Sequence, residues 1–473
     1  MAEILSYSVD QATKRAVLLV ATLAAFLTPF TASSINIALP SLQAEFHVDT
    51  MLLTWIPTSY LLSTSMFLVP FGKIADLVGR RRIFVYGISI FTFASCLSAV
   101  SLNVTMLLCF RVLQGMGTAM IFGTGMAMLA TVFPPGERGK VIGINVATVY
   151  IGLSAGPFLG GLLTEHFTWR GIFAATVPLG ILTICVSLWK LKWRWQRTGK
   201  EKFDVLGSFL YAFSIVTFML GLSDLLSLRG VLLILVGICF FILFVRCELR
   251  SSSPVLNIDL FKNNRGFAFS SLAALINYSA TFAVTFLLSL YLQYLREFSP
   301  RDAGLVLMAQ PITMAILSPI AGRISDRVEP QKVASSGMFL TALGLLLLSF
   351  LTAHTSLALI LMNLILLGCG FALFSSPNMN AIMNSVDRAF YGIASGVVGS
   401  MRLVGQMLSM GLATVIFALY IGPVHITPEI HPVFLKSLKA AFTLFAIICF
   451  IGIFASLARG KILPKRDESS PRS

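Results

Sequence analysis

Gly72-Lys-Ile-Ala-Asp-Leu-Val-Gly-Arg-Arg-Arg82 is a short polar break between two long apolar runs. It carries one acid, Asp76, a second glycine, Gly79, and three consecutive arginines, Arg80, Arg81 and Arg82. A shorter version returns 250 residues later as Ala321-Gly-Arg-Ile-Ser-Asp-Arg327. There Gly322 and Asp326 keep the offset of Gly72 and Asp76, and apolar runs again lie on both sides. A charged hairpin repeated in the two halves of an apolar chain predicts a duplicated membrane bundle, a common plan of secondary transporters.

The composition agrees. The 473 residues are 56% hydrophobic and 12% charged, against roughly a quarter charged in soluble domains. Apolar runs of about 20 residues, enough to cross a bilayer as a helix, recur along the chain. They predict an all-α polytopic protein with fourteen spans, near 16–39, 51–71, 83–101, 104–131, 140–163, 170–189, 205–223, 230–247, 267–293, 303–321, 333–352, 356–380, 391–420 and 434–458. The short alternating segments of a β-barrel are not seen. The run after Lys14 and Arg15 continues to Pro40, longer than a signal peptide's apolar core, and reads as a retained first span.

The net charge of +15 is too scattered for a nucleic-acid surface, and no groove-reading motif accompanies it. Sorted by loop, 27 of the 35 lysines and arginines fall on one side of the membrane and six on the other. The positive-inside rule places both termini in the cytoplasm of a multi-pass cytoplasmic-membrane protein. The seven cysteines lie in or beside apolar runs without CxxC spacing, so neither a metal site nor a disulfide framework is expected. Polar breaks at Lys190–Lys202, basic enough to meet lipid headgroups, and at Arg246–Arg265 set spans 7 and 8 apart. The expected plan is a six-helix bundle over 1–190, linkers with two extra helices over 191–265, and a second bundle with a short polar tail over 266–473.

Three segments carry candidate chemistry. At the end of span 2, Asp76 can pair with a nearby arginine or cap a helix N-terminus, a contact able to form in one conformer and break in another. Arg111 lies about two turns inside span 4, and an arginine there is a functional-site hypothesis, with snorkelling to the interface as the alternative. Gln114, three residues on, shares its helix face. In span 5, Gly152, Gly156 and Gly160 recur every four residues and form a flat face for close helix approach, while Pro157 removes a backbone donor and bends the helix.

Together, Gly72–Arg82, Arg111–Gly117 and Gly152–Gly161 resemble the signature motifs of the major facilitator superfamily. Ser34–Pro40, Trp55–Tyr60, Trp169–Phe173 and Arg402-Leu-Val-Gly405 extend the resemblance to its fourteen-span drug:proton antiporters. The resemblance implies two six-helix bundles that rock about a central cavity. It makes Asp76 a gate acid with Arg80 and Arg138 as partners, Arg111 a proton-coupling residue, and Gly156-Pro157 the bending point of span 5. One departure stands out. Where that branch often has an aspartate in span 1, this chain has Thr31, and none of its twenty acids lies in the middle of a span.

The intramembrane charges are instead Arg111 and Arg402, either of which could attract an anion or be satisfied by carbonyls, Gln114, Gln406 and water. Thr31, Asn36, Tyr60, Asn145, Asn277, Tyr278, Gln310 and Asn378 complete the candidate cavity residues, Gln310 and Asn378 standing beside prolines. The expected function is proton-coupled efflux of amphipathic compounds by a monomer in contact with membrane lipids, without a cofactor or metal and without enzyme activity. Two alternatives remain open from the residues: an exporter or exchanger of anionic or neutral solutes through the arginines, and a non-transporting membrane receptor.

Overall fold

A computed structural model describes residues 10–191, 203–251, 255–256, 258, 261–262, 264–386 and 391–460, without the side chains of 135, 136, 138–140, 391–393 and 395. Among the described residues, fourteen helices are long and apolar enough to cross a membrane, and no strand is present. They are α1 (Gln11–Phe46), α2 (Thr50–Val78), α3 (Arg80–Ala99), α4 (Val104–Val132), α5 (Pro135–Phe167), α6 (Arg170–Lys190) and α7 (Val205–Ser223). The remainder are α8 (Leu228–Glu248), α9 (Arg265–Leu295), α10 (Pro300–Arg327), α11 (Pro330–Leu348), α12 (Leu357–Ser385), α13 (Tyr391–Tyr420) and α14 (His431–Ala458).

Local chemistry sets the helix ends. Asp10, Asp49, Asn103, Asp204 and Asn264 each accept a hydrogen bond from the backbone N–H three residues on, as N-caps do. The Asp10 cap starts α1 five residues before the expected 16, and His47 ends it in a left-handed conformation seven residues past the expected 39. Apolar length sets the part inside the membrane, whereas the caps set the true ends. Gly79 separates α2 from α3 at φ +116°, a conformation that side chains rarely adopt, so the polar break folds as a hairpin one residue wide.

Packing repeats between the halves. In the first, α1 packs on α5 and α6, α4 on α2 and α3, and α3 on α6. The same pairs recur eight helices later: α9 on α13 and α14, α12 on α10 and α11, and α11 on α14. The glycine face of α5 lies on α1. A Cβ on Gly152 would stand 2.6 Å from the Phe26 carbonyl, and one on Gly160 2.7 Å from Ser34 Cβ. Ser34 Oγ donates to the Gly156 carbonyl at 3.0 Å within that contact.

The two halves meet along two seams. On one, α2 packs on α13 and is covered by α7, whose Tyr211 hydroxyl donates to the Ser65 carbonyl at 3.2 Å. Helix α8 packs outside α7 through Phe213–Phe240 and Tyr211–Phe244 ring contacts and buries little else. On the other seam, α5 meets α10 without a covering helix. An apolar cavity of about 410 Å³ opens there between Ile151, Ser154, Phe158, Met308, Ile312 and Ile316.

Apart from the Tyr150–Ser375 pair, hydrogen bonds between described residues of the two halves gather at the end away from the Asp76 hairpin. Ser289 Oγ donates to the Asn36 carbonyl at 2.8 Å, and Gln293 Nε2 to the Ile37 carbonyl at 3.0 Å. Tyr294 donates to Gln43. Thr50 Oγ1 donates to the Gly422 carbonyl at 2.7 Å, and Thr414 Oγ1 to Thr54 Oγ1 at 2.9 Å. The molecule is closed at that end.

Candidate functional site

The Asp76 hairpin is tied to α4. Arg80 Nε donates to Asp76 Oδ1 at 2.8 Å, and its Nη1 donates to Thr131 Oγ1 at 3.0 Å and to the Ala127 carbonyl at 3.2 Å. The expected partner Arg138 has its side chain outside the described residues. In the repeat, Asp326 has no arginine partner among the described residues. Asn380 Nδ2 of α12 donates to it at 3.4 Å and to Ser325 Oγ at 2.6 Å. A Cβ on Gly72 would meet nothing within 4 Å, while one on Gly322 would meet Ser376 Oγ at 2.9 Å.

Arg111 does not snorkel. It is fully buried, with its guanidinium 4.4 Å from the Tyr60 ring centroid. Nη1 donates to Gln114 Oε1 at 2.6 Å and Nε to the Ile56 carbonyl at 3.3 Å. Gln114 Nε2 passes the chain on to Ser95 Oγ at 2.7 Å, and the Tyr60 hydroxyl pairs with Thr118 at 3.0 Å. The three-residue spacing of Arg111 and Gln114 thus yields a side-chain bond, and α2 and α3 supply the rest of the network.

Arg402 sits differently. From α13 its guanidinium reaches across to the Phe122 ring of α4, 5.3 Å from the centroid. No described residue gives it a hydrogen bond or ion pair. Arg402 is half-buried, and its nitrogens keep some exposure. Gln406, one turn along α13, is half-buried. Beside α13, Tyr278 packs edge-on to Phe371 at 5.4 Å, and Tyr150 of α5 pairs with Ser375 of α12 at 3.1 Å.

The other candidates mostly serve packing. Thr31 Oγ1 donates back to the Leu27 carbonyl at 2.9 Å within its own helix. Asn145 Nδ2 donates to the Ala21 carbonyl at 3.2 Å, joining α5 to α1. Asn36 and Asn277 are buried with unpartnered side-chain atoms, and Gln310 is nearly buried with its carbonyl against Gly368. Asn378 donates to the Ser270 carbonyl at 3.1 Å and accepts from Arg459 Nη1 at 3.0 Å. Arg459 follows α14, in what reads as tail, yet it is buried, and burial pushes its guanidinium down to about 10. Tyr150 and Ser375 were also unforeseen, and polar positions inside apolar runs were their only signal.

The family model described as Major Facilitator Superfamily matches residues 21–273 and again 270–473. The chain belongs to the major facilitator superfamily. It is a transporter rather than an enzyme, and a multi-pass protein of the cytoplasmic membrane. It is similar to the riboflavin transporter RibZ of Clostridioides difficile, 29% identical over 93% of this chain and 96% of the relative. It is also similar to the multidrug resistance protein Stp of Mycobacterium tuberculosis, 29% identical over 82% of this chain and 73% of the relative. The tetracenomycin C resistance and export protein of Streptomyces glaucescens matches at 29% over 82% of this chain and 73% of its own length.

Proposed function

We propose that this member of the superfamily exports amphipathic aromatic compounds by alternating access, as a monomer coupled to protons and without a resident cofactor. The observation that carries the reading is the site between the halves. Arg402, Tyr278 and Tyr150 are half-buried side chains between the halves in the membrane interior, while the bonds between halves close one end. Relatives named for multidrug resistance, antibiotic export and riboflavin transport support a ring-bearing substrate. Residues 1–190 and 266–473 are read as the two moving bodies, with 191–265 as an insertion that travels with the seam it covers. With the basic end in the cytoplasm, the closed end faces outward and substrate reaches Arg402 from inside.

The latch follows from the hairpin. The Asp76–Arg80 pair holds the α2–α3 turn against α4, and Asp326 and Asn380 take the same place in the second half. Opening the closed end requires breaking the Ser289, Gln293, Thr50 and Thr414 bonds and remaking contacts at the hairpin end. The test uses purified protein in liposomes with a trapped pH dye. A gradient of ethidium, and then of an amphipathic anion, is imposed. Proton movement driven by at least one of the two probes is expected, and silence with both in sealed vesicles refutes proton-coupled export.

A further inference from the structure

We propose that Arg402 is the anion-binding subsite of the cavity, selecting aromatic compounds that carry an acidic group such as a carboxylate or sulfonate. The inference rests on the export reading above and assigns its substrate chemistry. Of the two intramembrane arginines, Arg111 is withdrawn from substrate. It is fully buried, its Nε and Nη1 are used by the Ile56 carbonyl and Gln114, and one face lies on Tyr60. Arg402 keeps every donor uncommitted among the described residues and is only half-buried. Among the described residues its charge meets the Phe122 ring, 5.3 Å away, which uses none of its donors.

The surroundings match that class of ligand. Phe122 of α4 lies 5.3 Å from the charge, and Tyr278 of α9, which adjoins α13 at Gly405 and packs on Phe371 of α12, brings aromatic surface from the second half. No acid lies in the middle of a span, so a lipophilic cation would find Arg402 as a like charge with no counter-carboxylate. A cation desolvated in that setting is costly, whereas an anion gains a bidentate partner from the guanidinium fork. Because Arg402 belongs to α13 and its aromatic support to α4, an anion bound there touches both halves and is sensed by both as they move.

The experiment uses full-length protein in proteoliposomes and two probes, carboxyfluorescein as the aromatic anion and riboflavin as an uncharged ring system. For Arg402→Gln, the KM for carboxyfluorescein is expected to rise roughly tenfold or more, as loss of a charge-assisted contact implies. The riboflavin KM is expected to stay within about twofold, because no charge contact is lost there. Arg402→Lys should fall between, keeping the charge but losing the fork. A second readout, the carboxyfluorescein-induced rise in Tm, should vanish in Arg402→Gln. Equal loss of both probes in both variants overturns the proposal, as does a wild type whose Tm responds to ethidium but not to carboxyfluorescein. An Arg402-dependent Tm response without flux of any probe supports the subsite and refutes export.

Discussion

Replacing Gln114 with leucine should cost stability only while Arg111 is present. The substitution removes two short bonds, to Arg111 Nη1 at 2.6 Å and to Ser95 Oγ at 2.7 Å. Neutral hydrogen bonds between membrane helices average about 0.6 kcal/mol, so the Ser95 bond is the minor part. A hydrogen bond to a charged group contributes about 1.5–3 kcal/mol, and a charged donor left buried without a partner costs more still. Arg111 already has Nη2 unpartnered, so Nη1 has no unused neighbour to turn to. The expected loss for Gln114→Leu is about 2–4 kcal/mol. In an Arg111→Met background the buried charge is gone, and the same substitution should cost under about 1 kcal/mol. The cycle is measured by SDS-driven unfolding in mixed micelles, with the fluorescence of buried Trp169 as the signal. Equal losses in the two backgrounds would falsify the claim that Gln114 stabilises the fold through the arginine.

Gly79→Ala should destabilise by roughly 1–2 kcal/mol, because its φ of +116° lies where a Cβ is strained, whereas Gly72→Ala should leave thermal stability unchanged in this conformation. If Gly72→Ala nonetheless abolishes transport, the glycine is needed in the other conformer; thermal shift and flux on the same preparation separate the two. Asp76→Asn should change stability by no more than about 0.5 kcal/mol, as exposed i,i+4 pairs do, yet lower proteoliposome flux by roughly tenfold if the pair acts as a latch. Unchanged flux would remove the latch. Thr54→Cys with Thr414→Cys should form a disulfide on oxidation, since the two side-chain oxygens are 2.9 Å apart, and should arrest flux until reduced. Full activity in the oxidised, cross-linked protein would show that the two halves need not part there.

Much of the fold was legible because membrane spans announce themselves by length. Fourteen apolar runs gave fourteen helices, and the repeated glycine–acid offset pointed to the repeated packing seen between the halves. The Arg111–Gln114 bond was legible for the same local reason, a three-residue spacing on one helix. What the residues did not reveal is direction. Helices apolar all round carry no stripe that tells a lipid face from a cavity face. Arg402 reaching Phe122 and Tyr150 meeting Ser375 depend on neighbours hundreds of residues away, and Ser95 ending the Arg111 chain depends on how α3 docks on α4. The burial of Arg459 gave no sequence signal, because its partners are Ser456 of α14 and Asn378 of α12.

Burial of Arg111 also bears on how the chain is made. A lone arginine near the middle of an inserting helix costs about 2.5–3.5 kcal/mol at the translocon. Arg111 lies seven residues from the start of α4, about 10 Å along its axis, close enough for its side chain to reach headgroup water before neighbours arrive. Its later partner Ile56 belongs to α2, and Ser95, which accepts from Gln114 in the same network, belongs to α3; both helices are synthesised earlier. Helix α4 therefore enters the bilayer with its charge still hydrated and trades water for protein only when it docks on helices already waiting. Order of synthesis thus matches the order in which this network can be completed, since α2 and α3 precede α4 in the chain.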